Sequence, residues 1–149
     1  MPSSAVGRIA GAVAAVAFAL ATSCVPHDDP NAVHEELHLT GFDISGADQT
    51  GYEGDTLPEP VTGGLMLSDG SYDVVHTVWV TIRSGNGGIL LPRSRGYGNG
   101  VTLGGVQGGL TLQWVMGPSD EPQVLRFWTL GDDTVYTDVH ATSLPPDTT

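Results

Sequence analysis

Five residues near the start of the chain carry its most specific chemical pattern. His34-Glu35-Glu36-Leu37-His38 reads H-E-x-x-H. On a helix the two histidines lie one turn apart on one face and can ligate a single zinc ion, while Glu35 polarises the metal-bound water as general base. Asp29-Pro30 upstream supplies a cap and a first-turn proline for such a helix. Leu39-Thr40-Gly41-Phe42-Asp43-Ile44 downstream reads as strand, and Gly41 ends any helix there. A solvated, charged approach to a first strand accounts for the same residues. On that reading the chain has no catalytic residues and no cofactor, and His34 and His38, with Glu35 as base, remain candidates for a zinc site.

A second cluster suits recognition. Arg93-Ser94-Arg95-Gly96-Tyr97 sets two arginines and an aromatic in one glycine-containing loop. The whole chain has five basic residues, all arginine, against 17 acidic ones, a formal charge of −12. Arg93 and Arg95 are therefore expected to form the positive spot of an acidic surface. Arginine and tyrosine are favoured at interfaces, and loops on a rigid β scaffold commonly carry recognition. Arg93, Arg95 and Tyr97 are the candidate ligand-binding residues, for an anionic envelope component or a protein partner. Nucleic acid is excluded as a partner, because phosphate contacts require clustered Lys/Arg.

Other chemistry is sparse. The acidic pairs Asp28-Asp29, Asp120-Glu121 and Asp132-Asp133 read as solvated turns rather than as the converging oxygens calcium requires. The chain has no G-x-S-x-G, and its single cysteine, Cys24, excludes a disulfide. His27 lies in a polar stretch, where with His34, His38, Asp28 and Asp29 it allows only a loose, adventitious metal site, and His76 and His140 lie in expected strands.

The elements that position these residues read as β. From Tyr72 to Ile82 the apolar side chains alternate, with Val74, Val78, Val80 and Ile82 on one face and Val75 and Trp79 on the other. Ser84-Gly85-Asn86-Gly87-Gly88 has the composition of a hairpin turn, with Ile89–Leu91 as the returning strand. Further strands are expected at 36–44, 64–67, 101–106, 110–116, 124–130 and 134–141, the last two joined by Gly131-Asp132-Asp133. The connection from Ser45 to Thr62 is expected to be irregular, and Trp79, Trp114 and Trp128 are assigned to the core. The fold expected is all-β, a small antiparallel β-sandwich or barrel of about eight short strands.

Residues 1–24 give an address. Arg8 precedes an apolar run from Ile9 to Ala21, which is shorter than the roughly 20 residues a spanning helix needs. A basic start, an apolar stretch and small residues at its end describe a secretory signal peptide. Leu20-Ala21-Thr22-Ser23-Cys24 resembles the lipobox of bacterial lipoproteins, with Ala21 where leucine is preferred. The resemblance implies lipidation of Cys24, removal of residues 1–23, and tethering to the extracytoplasmic face of a cell membrane. Loss of Arg8 leaves four arginines against 17 acids, a formal charge of −13 that anionic headgroups repel.

The organisation expected is a signal peptide over 1–23, a lipid-anchored spacer over 24–35, a β domain over 36–141 and a flexible tail over 142–149. The absence of lysine suggests an actinobacterial source or one of its phages. The function expected is a non-catalytic binding or surface-interaction module on a lipid anchor. Three alternatives stand beside it. The H-E-x-x-H motif resembles that of zincin metallopeptidases and implies a zinc-dependent hydrolase. An apolar cavity among the tryptophan strands would imply a lipid or glycolipid carrier. A phage gene neighbourhood would imply a prophage lipoprotein that excludes superinfecting phages.

Overall fold

The computed structural model describes residues 36–130 and 135–148. Cys24, His34 and Glu35 lie outside the described residues, as does the turn expected at Gly131-Asp132-Asp133. All regular structure among the described residues is β. The strands are β1 (Leu39–Ser45), β2 (Thr50–Tyr52), β3 (Val61–Leu67), β4 (Thr77–Ser84) and β5 (Gly88–Leu90). They continue with β6 (Arg95–Tyr97), β7 (Thr102–Gln107), β8 (Gly109–Val115), β9 (Gln123–Thr129) and β10 (Val135–Leu144). One five-stranded sheet has the order β1-β3-β8-β5-β6 and the other the order β2-β10-β9-β4-β7. The pairing is antiparallel except between β2 and β10. The expected all-β sandwich is the fold observed.

Alternation decides which side chains make the core. In β4 Val78, Val80 and Ile82 point inward, and in β8 Leu110, Leu112 and Trp114 do the same. β9 contributes Leu125 and Phe127, and β3 contributes Val61 and Leu65. The two sheets meet where Phe127 packs against Phe42, with ring centroids 6.1 Å apart. Gly63 of β3 makes room for that ring, since a Cβ there would stand 2.4 Å from Phe127 Cδ1. Burial of this apolar set supplies most of the driving force for the fold.

Several local expectations change in three dimensions. The strand expected from Tyr72 begins at Thr77, because Asp73 organises the residues before it. Its Oδ1 accepts the N–H groups of Val75 at 2.9 Å and His76 at 2.7 Å, a local turn that competes with the ladder. Val74 and Val75 are left 72% and 69% exposed. The segment Ser84–Gly88 does not make a hairpin, although Gly85 and Asn86 adopt the positive φ that its composition suggested. β4 and β5 belong to different sheets, so the segment arches across the end of the sandwich. Turn residues specify the bend; the core partners available to Ile89 specify the sheet.

The connection from Ser45 to Thr62 is also more ordered than expected. It contains β2, buries Leu57, and is stapled by Gln49, whose Nε2 donates to the carbonyls of Gly46 at 2.6 Å and Glu59 at 2.9 Å. The last strand runs past the expected end at residue 141, because Thr142–Leu144 pair with Thr50–Tyr52. The tail expected over 142–149 therefore starts beyond Leu144.

Candidate functional site

The arginine cluster sits on a tight connection between β5 and β6. The Leu91 N–H donates to the Ser94 carbonyl at 2.8 Å and closes the turn that presents Arg93. Arg95 and Tyr97 follow on edge strand β6, two residues apart and hence on the same face. Arg93 and Arg95 share the rim of a hollow of about 380 Å³. Tyr97 does not line that hollow; its ring lies against Gly88 instead, where a Cβ would stand 2.4 Å away. The structure thus unites the two arginines and places the tyrosine beside them as a packed but 57% exposed ring. Neither arginine forms an ion pair among the described residues.

Arg93 also overhangs a larger groove of about 790 Å³, lined by β3, β7 and β8 together with the 91–94 turn. Gly63, Gly64 and Gly109 form a floor without side chains, and Leu91, Val106 and Leu110 are apolar walls. Gly109 is required there, because a Cβ would come within 2.6 Å of the Gly63 carbonyl oxygen. Thr62 and Thr111 face each other across β3 and β8 with their hydroxyls 3.0 Å apart. The result is an open trough with a hydroxyl pair among its lining groups and one cation at its rim, suited to an anionic ligand.

The histidines assemble differently from the zinc pattern. His38 is not helical: its N–H lies 3.3 Å from Ser68 Oγ, and its carbonyl accepts the Ser68 N–H at 2.9 Å. It borders a hollow of about 520 Å³ with Glu36, Asp73 and His76. Within it, His76 Nδ1 and Asp73 Oδ2 are 3.0 Å apart. Burial pushes the Asp73 pKa up, but the N–H groups of His76 and Val75 and the imidazole outweigh it and hold the carboxyl below its ordinary value. Among the described residues no three His, Cys, Asp or Glu side chains gather to hold a metal ion.

A site outside the sequence candidates lies on the outer face of the second sheet. Trp79 and Trp128 were assigned to the core, yet only Trp114 is fully buried. Trp79 of β4 and Trp128 of β9 are cross-strand neighbours on the solvent side, with centroids 6.1 Å apart and planes 24° from parallel. Tyr136 of β10 is the next neighbour of Trp128 in the ladder and is 55% exposed. The strict alternation of β4 contained the signal, since Trp79 falls opposite Val78, Val80 and Ile82. The tryptophans therefore do not wall a common cavity of the kind a lipid carrier would need.

Polar groups fix this aromatic row. Trp128 Nε1–H donates to Thr81 Oγ1 at 2.9 Å, and that hydroxyl lies 2.7 Å from Thr102 Oγ1. Arg126 binds Asp138 in a fork, Nε to Oδ1 at 2.7 Å and Nη2 to Oδ2 at 3.0 Å, with its Cζ 4.1 Å from the centre of the Tyr136 ring. The hydrogen bond from Arg126 lowers the Asp138 pKa, and the charges of Arg126, Arg83 and His140 add to that effect. Arg83 and Arg126, 43 positions apart in the sequence, line the same hollow, and Asp138 offsets the charge of Arg126.

No family model matches the chain, and no curated protein does. Among solved structures the fold is similar to domains 4 and 5 of the S-layer protein SbsC, with a TM-score of 0.50 and 13% identity. The match covers 73% of this chain and 54% of that one, so the chain spans about half the length of its structural neighbour. At this identity the likeness is one of fold.

Proposed function

We propose that the chain is a non-catalytic binding module, held at the outer face of a membrane by a lipid on Cys24 and engaging an anionic envelope component through Arg93 and Arg95. The observation that carries the reading is the glycine-floored groove under Arg93. It combines a floor of paired β strands, a pair of threonine hydroxyls, and a guanidinium that makes no ion pair among the described residues. An anion that reaches Arg93 gains a charge-assisted hydrogen bond without breaking an existing ion pair of that arginine. The fold likeness to domains of an S-layer protein is in keeping with a role at the cell surface.

The anchor has a direct test. Expressed with its leader in a bacterium that processes lipoproteins, the protein partitions with membranes and carries the added mass of a diacylglyceryl group. Cys24→Ala abolishes both. Membrane retention by that variant, with no mass difference from the wild type beyond the substitution, contradicts the anchor. Binding at the groove is tested by calorimetric titration with poly(glycerol phosphate), which the wild type binds and the Arg93→Gln/Arg95→Gln double variant binds more weakly.

A further inference from the structure

We propose that the outer face of the second sheet is a distinct binding site, which takes the uronate rings of an acidic polysaccharide. The inference does not depend on the Arg93 groove. It starts from a hollow of about 290 Å³ lined by Thr81, Arg83, Arg126, Trp128 and Tyr136. That volume is at the low end for small-molecule sites, the scale of one ring at a time. Trp79 extends the aromatic row beyond the hollow, through its stack on Trp128.

The side chains around the hollow divide the work. A pyranose has C–H faces and a hydroxyl edge, so it suits a surface where flat aromatics lie beside hydrogen-bonding groups. Trp128 and Tyr136 supply the aromatic lining of the hollow, Trp79 backs Trp128 through their stack, and the Thr81 hydroxyl lies beside them. Arg126 is committed to Asp138 and to the Tyr136 ring, so its part is to hold that ring in place. Arg83 is different. It is exposed, lines the hollow, and makes no ion pair among the described residues.

A carboxylate on the sugar is the complement of Arg83, whose planar guanidinium can bind it through two parallel hydrogen bonds. A lipid surface fits less well, since the rings are interrupted by the Arg126–Asp138 pair and by hydroxyls.

The test is calorimetric titration of the purified protein with short oligomers of galacturonate, mannuronate and a glucuronate-containing chain, with a neutral gluco-oligosaccharide as control. Tryptophan emission is followed in parallel. At least one acidic oligomer binds and perturbs emission, and the neutral control binds more weakly. Trp79→Ala and Arg83→Gln each weaken the acidic ligand roughly tenfold or more, the loss expected for one charge-assisted or stacking contact. Arg83→Gln also removes the preference over the neutral control, while Arg93→Gln changes nothing. Circular dichroism confirms that the variants fold, and should Trp79→Ala fail to fold, Arg83→Gln decides alone. Absence of binding by every acidic oligomer overturns the proposal. So does binding that survives Arg83→Gln unchanged, or binding lost through Arg93→Gln.

Discussion

Trp79 and Trp128 stack across β4 and β9 on the solvent side of the second sheet, 6.1 Å apart, while Trp114 is sealed between the sheets. Quenching by acrylamide should separate the two environments. The wild type is expected to show one accessible and one protected population. Replacing both Trp79 and Trp128 by Phe leaves Trp114 alone, with blue-shifted emission that resists quencher. Strong quenching of that remaining tryptophan contradicts the arrangement of the sheets.

Gln123 is the buried polar fastener at one end of the sandwich. Its Oε1 accepts the Gly117 N–H at 3.0 Å, and its Nε2 donates to the carbonyls of Pro118 and Glu121 at 3.0 Å and of Gly85 at 3.3 Å. Leucine in its place fills similar volume but leaves these backbone groups without the amide. Gln123→Leu should cost about 3 kcal/mol, since each buried polar group left unsatisfied costs about 1–3 kcal/mol. Equilibrium urea denaturation measures it, and a variant as stable as the wild type rejects the fastener.

Gly63 tests the packing at the centre of the interface between the sheets. Gly63→Ala drives a methyl into the Phe127 ring, at a site where the φ angle is not itself a barrier. The loss expected is about 2 kcal/mol, typical of overpacking. Adding Phe127→Leu should recover part of it, because the smaller side chain gives the methyl room. Additive losses in the double variant would show that the two residues do not meet.

Acid should weaken the fold through its carboxylates. Asp138 is held below its ordinary pKa first by Arg126, Asp69 first by the Ser71 hydroxyl, and Asp73 by the N–H bonds that outweigh its burial. A carboxyl whose folded pKa is depressed contributes stability that is fully present above its unfolded value, about 3.9 for Asp. That contribution is lost as pH falls through the lower folded value. Urea midpoints should therefore decline as pH drops below about 4, and less steeply in Asp138→Asn. An unchanged slope in that variant would remove Asp138 from the explanation.

The fold class was legible because period-two alternation runs through the segment that became β4, which buries the face carrying Val78, Val80 and Ile82. Connectivity was not legible at Ser84–Gly88. Gly85 and Asn86 encode positive φ locally, but whether the next strand returns to β4 or crosses to β8 depends on contacts remote in sequence. Tyr72–His76 failed as strand for a related reason: one side chain, Asp73, captured the N–H groups that a ladder would have used.

For the site, the Arg93–Arg95 pair could be read from local sequence, because a short turn keeps neighbours together. The row Trp79, Trp128 and Tyr136 could not, since only the register of three strands brings them side by side. Composition also misled. Tryptophan is usually read as core, whereas here alternation on β4 had already placed Trp79 opposite the buried valines.

The central claim is that Arg93 and Arg95 recognise an anionic ligand, both from the rim of the hollow they share and Arg93 also from the edge of the glycine-lined groove. Calorimetric titration of the purified protein with poly(glycerol phosphate), against the Arg93→Gln/Arg95→Gln double variant, tests it most directly. The account predicts saturable binding by the wild type that weakens as salt rises, because exposed charges are screened. It also predicts a loss of roughly tenfold or more in the double variant, as expected when charge-assisted hydrogen bonds are removed. No binding by the folded wild type, or equal binding by the double variant, would contradict it.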